Sequence, residues 1–284
     1  MLASLLIVFR EVLEAGLIVG IVLAATRGIA GRGAWIAGGI GAGVLGAGLV
    51  AVFAGALSDA FLGNGQEVFN AGVLSVAVVM LGWHNIWMAR HGREVAQQVQ
   101  AMGRAVSVGA RSLLALAVVV TVAVVREGAE VVLFLYGIAA SSNEGWPMLL
   151  LGGLLGVGSG GLVSWLLYRG LVVIPVGRLF GVTNWLVALL AAGMAGQAAA
   201  LLAKADLIPS WSFEIWDTSW LVDESSIVGR ALRALVGYSD RPMGVQLVAD
   251  LTVLAALVVG ARLVNRAPPK ALPAASTPAA QTQK

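Results

Sequence analysis

Seven apolar stretches, each about the 20 residues that a helix needs to cross a bilayer, dominate this 284-residue chain. They run over Leu2–Ala25, Ala34–Leu57, Val68–Met88, Leu113–Ile138, Pro147–Leu167, Gly181–Ala203 and Val245–Val264. In hydrocarbon a backbone must satisfy its own hydrogen bonds, and a helix does so within one segment. The expected fold is therefore all-α and integral to a membrane, with seven transmembrane helices. Composition agrees: 12% of residues are charged and mean hydropathy is +0.90, against about 25% charged in a soluble domain. The net charge of +3 comes from Lys and Arg spread between apolar runs, with no basic stripe to bind nucleic acid. Lipid is the expected surrounding. The first residues lack a basic leader region and a cleavage site, and Arg10 and Glu11 interrupt their apolar run, so they read as a retained span.

The basic residues also orient the chain. The connections after spans one, three and five carry Arg27 and Arg32, then Arg90, Arg93, Arg104 and Arg111, then Arg169 and Arg178. Those after spans two and four carry only acids, Asp59 and Glu67, then Glu144. Lys and Arg collect on the cytoplasmic side. The N-terminus is thus expected outside and the C-terminus inside, with residues 267–284 a disordered cytoplasmic tail.

Val8-Phe9-Arg10-Glu11-Val12-Leu13-Glu14 in span one matches Val124-Val125-Arg126-Glu127-Gly128-Ala129-Glu130 in span four, and a glycine-rich span follows each. The organisation expected is a permease domain over 1–266: repeat one at about 1–90, repeat two at about 111–203, an outer loop at 204–244 and a seventh span at 245–264. Two three-span units inserted in succession must have opposite topology, because three is odd. This is an inverted repeat, a plan that puts a transporter's substrate site near mid-membrane.

In each motif the two glutamates stand at i and i+3, on one helix face. Ionised carboxylates in hydrocarbon are costly and default to function. If the repeat brings spans one and four together, Glu11, Glu14, Glu127 and Glu130 converge. Four acids offset by Arg10 and Arg126 leave two negative charges, which a di- or trivalent cation would neutralise. The chain has no cysteine and only two histidines, so oxygen is the expected donor. Oxygen suits ferric iron, manganese, magnesium or calcium better than copper(I). A structural ion pair is the competing reading, weakened by the symmetric second copy.

The pair of Arg-Glu-x-x-Glu motifs resembles the oxidase-dependent iron permeases of fungal plasma membranes and bacterial inner membranes. Trp216-Asp217-Thr218-Ser219 and Gly237-Tyr238-Ser239-Asp240-Arg241-Pro242 resemble their bacterial branch, so the bacterial inner membrane is the expected location. The resemblance implies that the four glutamates bind iron in passage, with Arg10 and Arg126 as charge partners. Iron is then substrate and no cofactor is expected. The resemblance further implies a separate periplasmic protein that oxidises or delivers the iron. Alternatives are a proton-coupled transporter of manganese or another hard divalent ion, and a metal-binding sensor subunit. A di-iron carboxylate enzyme fits poorly, because Glu-x-x-His pairs are missing.

Three further residues are candidates. Asp250, inside span seven, is a bare acid that needs a partner. His84, near the cytoplasmic end of span three, is a packing histidine or a ligand on the exit path. Asp217 belongs to the acidic outer loop, which either collects cations, docks a partner or is an ordinary solvated cap. His91 is expected to be solvated.

Overall fold

The computed structural model describes residues 1–60, 66–141, 145–170, 176–211, 214–224, 226, 228–229, 232–233 and 237–266. The expected tail at 267–284 lies outside the described residues. Seven long helices account for most of what is described: α1 (Leu2–Ala25), α2 (Arg32–Ala60), α3 (Gln66–Ser107), α4 (Leu113–Ser141), α5 (Trp146–Arg169), α6 (Val176–Lys204) and α7 (Gly244–Arg266). Segments 32–57, 67–88, 146–169, 181–204 and 244–263 are long and apolar enough to cross a membrane. α1 and α4 are as long, but each carries an arginine and two glutamates at its middle.

Small residues decide which helices touch. α1 packs most extensively on α5, and α2 on α4. Gly152, Gly156 and Gly160 of α5 lie in turn against Ser4, Val8 and Val12 of α1, so the two helices run parallel. Gly39, Gly43 and Gly46 of α2 lie in the same order against Val120, Val124 and Val125 of α4. The Thr121 hydroxyl donates to the Gly39 carbonyl across the second pair at 3.1 Å. Without a hydrophobic driving force between helices in lipid, such close backbone approach supplies much of the attraction.

Two apolar clusters flank the middle of the bundle. One joins Ile7, Leu74, Leu81, Phe134, Met194 and Leu257. The other joins Val22, Ile36, Val99, Val106, Leu116 and Val120. The second exists because α3 does not stop at Met88. At 1.5 Å per residue its 42 residues span about 63 Å, twice the roughly 30 Å hydrocarbon core. Beyond Met88 the sequence turns amphipathic. Val95, Val99 and Val106 share one face and pack on α1, α2 and α4, while Glu94, Gln98 and Arg104 stay polar and favour helix. The basic connection after span three is thus in large part a helical extension of α3.

The segment between α6 and α7 is tied back on itself. Thr218 N–H donates to the Asp240 carbonyl at 2.9 Å, and the Tyr238 hydroxyl reaches the Thr218 hydroxyl at 2.7 Å and the Val222 carbonyl at 2.9 Å. The αL glycine Gly237 (φ +68°) seats this segment directly on Gly193 of α6, where no side chain would fit.

Candidate functional site: a buried carboxylate cluster

α1, α3 and α4 meet between the two apolar clusters, and their polar residues face one another there. Arg10 is fully enclosed, its side chain 1% exposed. Its Nη1 donates to Glu11 Oε1 at 2.6 Å, and its Nη2 stands 2.9 Å from Glu14 Oε1 one turn on. On α4, Arg126 Nε lies 3.4 Å from Glu130 Oε1 and 3.9 Å from Glu127 Oε1. The Arg126 side chain is 39% exposed and its guanidinium lies 4.6 Å over the Trp87 ring, a cation–π contact.

The structure brings the two motifs together and adds a residue from a third helix. His84 Nε2 lies 3.3 Å from Glu14 Oε2, and His84 Nδ1 lies 2.6 Å from Glu130 Oε2. One ligand atom each from Glu11, His84, Glu127 and Glu130 falls within 4.8 Å of the others, and all four residues are buried. Among the described residues, Oε2 of Glu11 and Oε2 of Glu127 are enclosed without a hydrogen-bond partner. A buried carboxylate oxygen left unpaired is costly, and a cation bound among these groups would satisfy it. Glu14 stands beside this group of four, between Arg10 and His84.

His84 stands near the end of the apolar segment 67–88, and it reaches the motif glutamates because α3 packs against both α1 and α4. Trp87 is new to the site. It stands three residues after His84, a spacing that shares a helix face. His91, expected in solvent, is half-buried: its ring stacks on Trp87 with centroids 5.1 Å apart. Asp250 is not drawn into the cluster. Its half-buried carboxylate lies against Gly196 of α6, in the space a side chain would take. Asp217 belongs to the segment after α6, where Ser219 donates to it from its hydroxyl at 2.6 Å and its N–H at 2.9 Å. Those bonds, with Arg241 at 3.1 Å, hold its pKa below the usual carboxylate range.

The two arginines differ in what their loss would do. Removing one member of a fully buried ion pair costs about 3–5 kcal/mol, and less where one member is partly exposed, as Arg126 is. Arg10→Gln is therefore expected to lower thermal stability in detergent much more than Arg126→Gln. Equal losses in a thermal-unfolding comparison would contradict the asymmetry of the two motifs.

Among the described residues, parallel helix pairs locked by glycine, lipid-suited helices and a cluster of ionisable groups at their centre make up an all-helical protein suited to a membrane. The chain belongs to the iron permease FTR1 family, which it matches over residues 1–265. It is 31% identical over 276 residues to the ferrous iron permease EfeU of Shigella sonnei, covering 95% of this chain and 97% of that one. It is 32% identical over 279 residues to the ferrous iron permease EfeU of Escherichia coli O6:H1, with the same coverage. No solved structure matches the chain.

Proposed function

We propose that this chain moves iron across the bacterial inner membrane into the cytoplasm, through a mid-membrane site built from its two Arg-Glu-x-x-Glu motifs. The observation that carries this reading is the convergence of Glu11, Glu127 and Glu130, from two helices, within one buried group. Family membership and the names of the two relatives support iron as the cargo. Glu14 completes the set of four carboxylates, and Arg10 and Arg126 balance part of their charge. Iron is cargo rather than a resident cofactor, and the chain acts as a transporter rather than an enzyme.

The seven helices are read as seven spans over 1–266, with the N-terminus outside. The reciprocal packing of α1 on α5 and of α4 on α2 is what two inverted three-helix repeats, at about 1–90 and 111–203, would produce. The segment 204–244 is then the outer loop, followed by the seventh span. Entry is coupled to oxidation of ferrous iron by a separate periplasmic protein that delivers the ion to this outer side.

Radiolabelled ferrous iron uptake into proteoliposomes, with and without an oxidant, tests the reading. Accumulation above empty vesicles is expected, with weak competition by manganese. Strong manganese competition would reassign the cargo to another hard divalent ion. No uptake under either redox condition, with a periplasmic partner supplied, would overturn iron transport.

A further inference from the structure

We propose that His84 is itself a ligand of the transported ion, binding through Nδ1, and that it biases the site towards first-row transition ions over magnesium and calcium. This rests on the carboxylate cluster being the ion site. The two histidines of the chain have different surroundings. His91 has the contacts of a structural histidine: Nδ1 lies 3.2 Å from a backbone carbonyl, that of Trp87, on whose ring it stacks. His84 faces carboxylates on both sides of its ring, one from α1 and one from α4, and is 4% exposed.

Nδ1 has two polar neighbours, Arg126 Nη2 at 3.5 Å and Glu130 Oε2 at 2.6 Å, and the second has the geometry of a ligand pair. Two adjacent ligands about 2.1 Å from an octahedral ion stand about 3 Å apart. His84 Nδ1 and Glu130 Oε2 are 2.6 Å apart, so a small opening admits an ion between them, within reach of Glu11 and Glu127. The far side of the ring is held as well. A metal-bound histidine characteristically donates its other N–H to a carboxylate, which fixes the ring. Glu14 Oε2 is placed for this at 3.3 Å from Nε2, and Arg10 holds Glu14 through its other oxygen. Glu14 thereby acts on the ion through His84 as a positioning residue.

The consequence is selectivity. A site of carboxylates alone is hard and takes calcium or magnesium readily, whereas an imidazole nitrogen favours the transition ions. The His84 nitrogens are the imidazole donors in the cluster.

The full chain in nanodiscs, loaded with manganese(II) as the paramagnetic probe, allows a direct test by pulsed electron paramagnetic resonance. A directly bound imidazole gives a nitrogen-14 coupling, and with two histidines in the chain its source is assignable. The coupling is expected in the native chain and in His91→Asn, and is expected to be lost in His84→Asn. That variant should bind manganese about tenfold or more weakly, with its preference over magnesium narrowed. Labelling the native chain with nitrogen-15 histidine must change the signal, a check that needs no variant to fold. Manganese bound with no nitrogen coupling would overturn the role of His84 and leave the carboxylate site standing. No binding of manganese or ferrous iron by the native chain would overturn the site itself, and the proposal with it.

Discussion

Glu11→Gln and Glu127→Gln, made separately, are each expected to reduce iron uptake to background. The change keeps side-chain volume and a polar head while removing one charge from the cluster. Outer-shell changes at metal sites already lower affinity about 10–100-fold, and a lost charged ligand should exceed that. The Arg10 guanidinium retains Glu14 at 2.9 Å in the Glu11 variant, so the buried cation is not stranded and the protein should still fold. Uptake per molecule, measured at matched protein levels, separates transport from expression. Unchanged uptake in both variants would reduce the motifs to structural ion pairs. Loss in one alone would mean that the two motifs are not equivalent in passage.

The second large effect is on assembly. Gly156→Val is expected to abolish the folded, monodisperse protein, because a Cβ there would stand 2.8 Å from the Leu5 carbonyl oxygen and 2.9 Å from the Phe9 nitrogen. These are backbone atoms of α1 and cannot step aside as a flexible side chain would, so the helices must separate along their contact. Gly158, two residues on, has nothing among the described residues within 4 Å of such a Cβ. Gly158→Val should therefore be tolerated, as a β-branched residue on an open helix face. Size-exclusion profiles of the two variants from one detergent extraction decide the matter. Similar profiles would mean that the parallel α1–α5 contact does not hold the bundle together.

The glycine pattern was visible in the sequence, but its partners were not. Gly38, Gly39, Gly41 and Gly43 look equivalent along the chain, yet only Gly39 and Gly43 of these meet α4, while Gly38 and Gly41 face open space. Helix rotation selects between them, and nothing local to α2 sets it. The extension of α3 is a similar case. Its valines at Val95, Val99 and Val106 have helical spacing, but the charges among them suggested a solvated connection until their packing on α1, α2 and α4 was known. His84 was ambiguous for the same reason. A histidine in a span is a packing residue or a ligand according to what faces it, and what faces His84 comes from α1 and α4.

What the chain determined alone is whatever lies within one helix. The long apolar runs require helices, because an unpaired backbone is too costly in lipid. The i and i+3 spacing puts Glu11 with Glu14, and Glu127 with Glu130, on one face of their own helix. The tertiary structure alone decided that the two faces meet, that His84 stands between Glu14 and Glu130, and that Arg10 is sealed in while Arg126 is half open against Trp87. The reason is physical: contacts within a helix follow from 3.6 residues per turn, whereas contacts between helices depend on which small residues let two backbones approach.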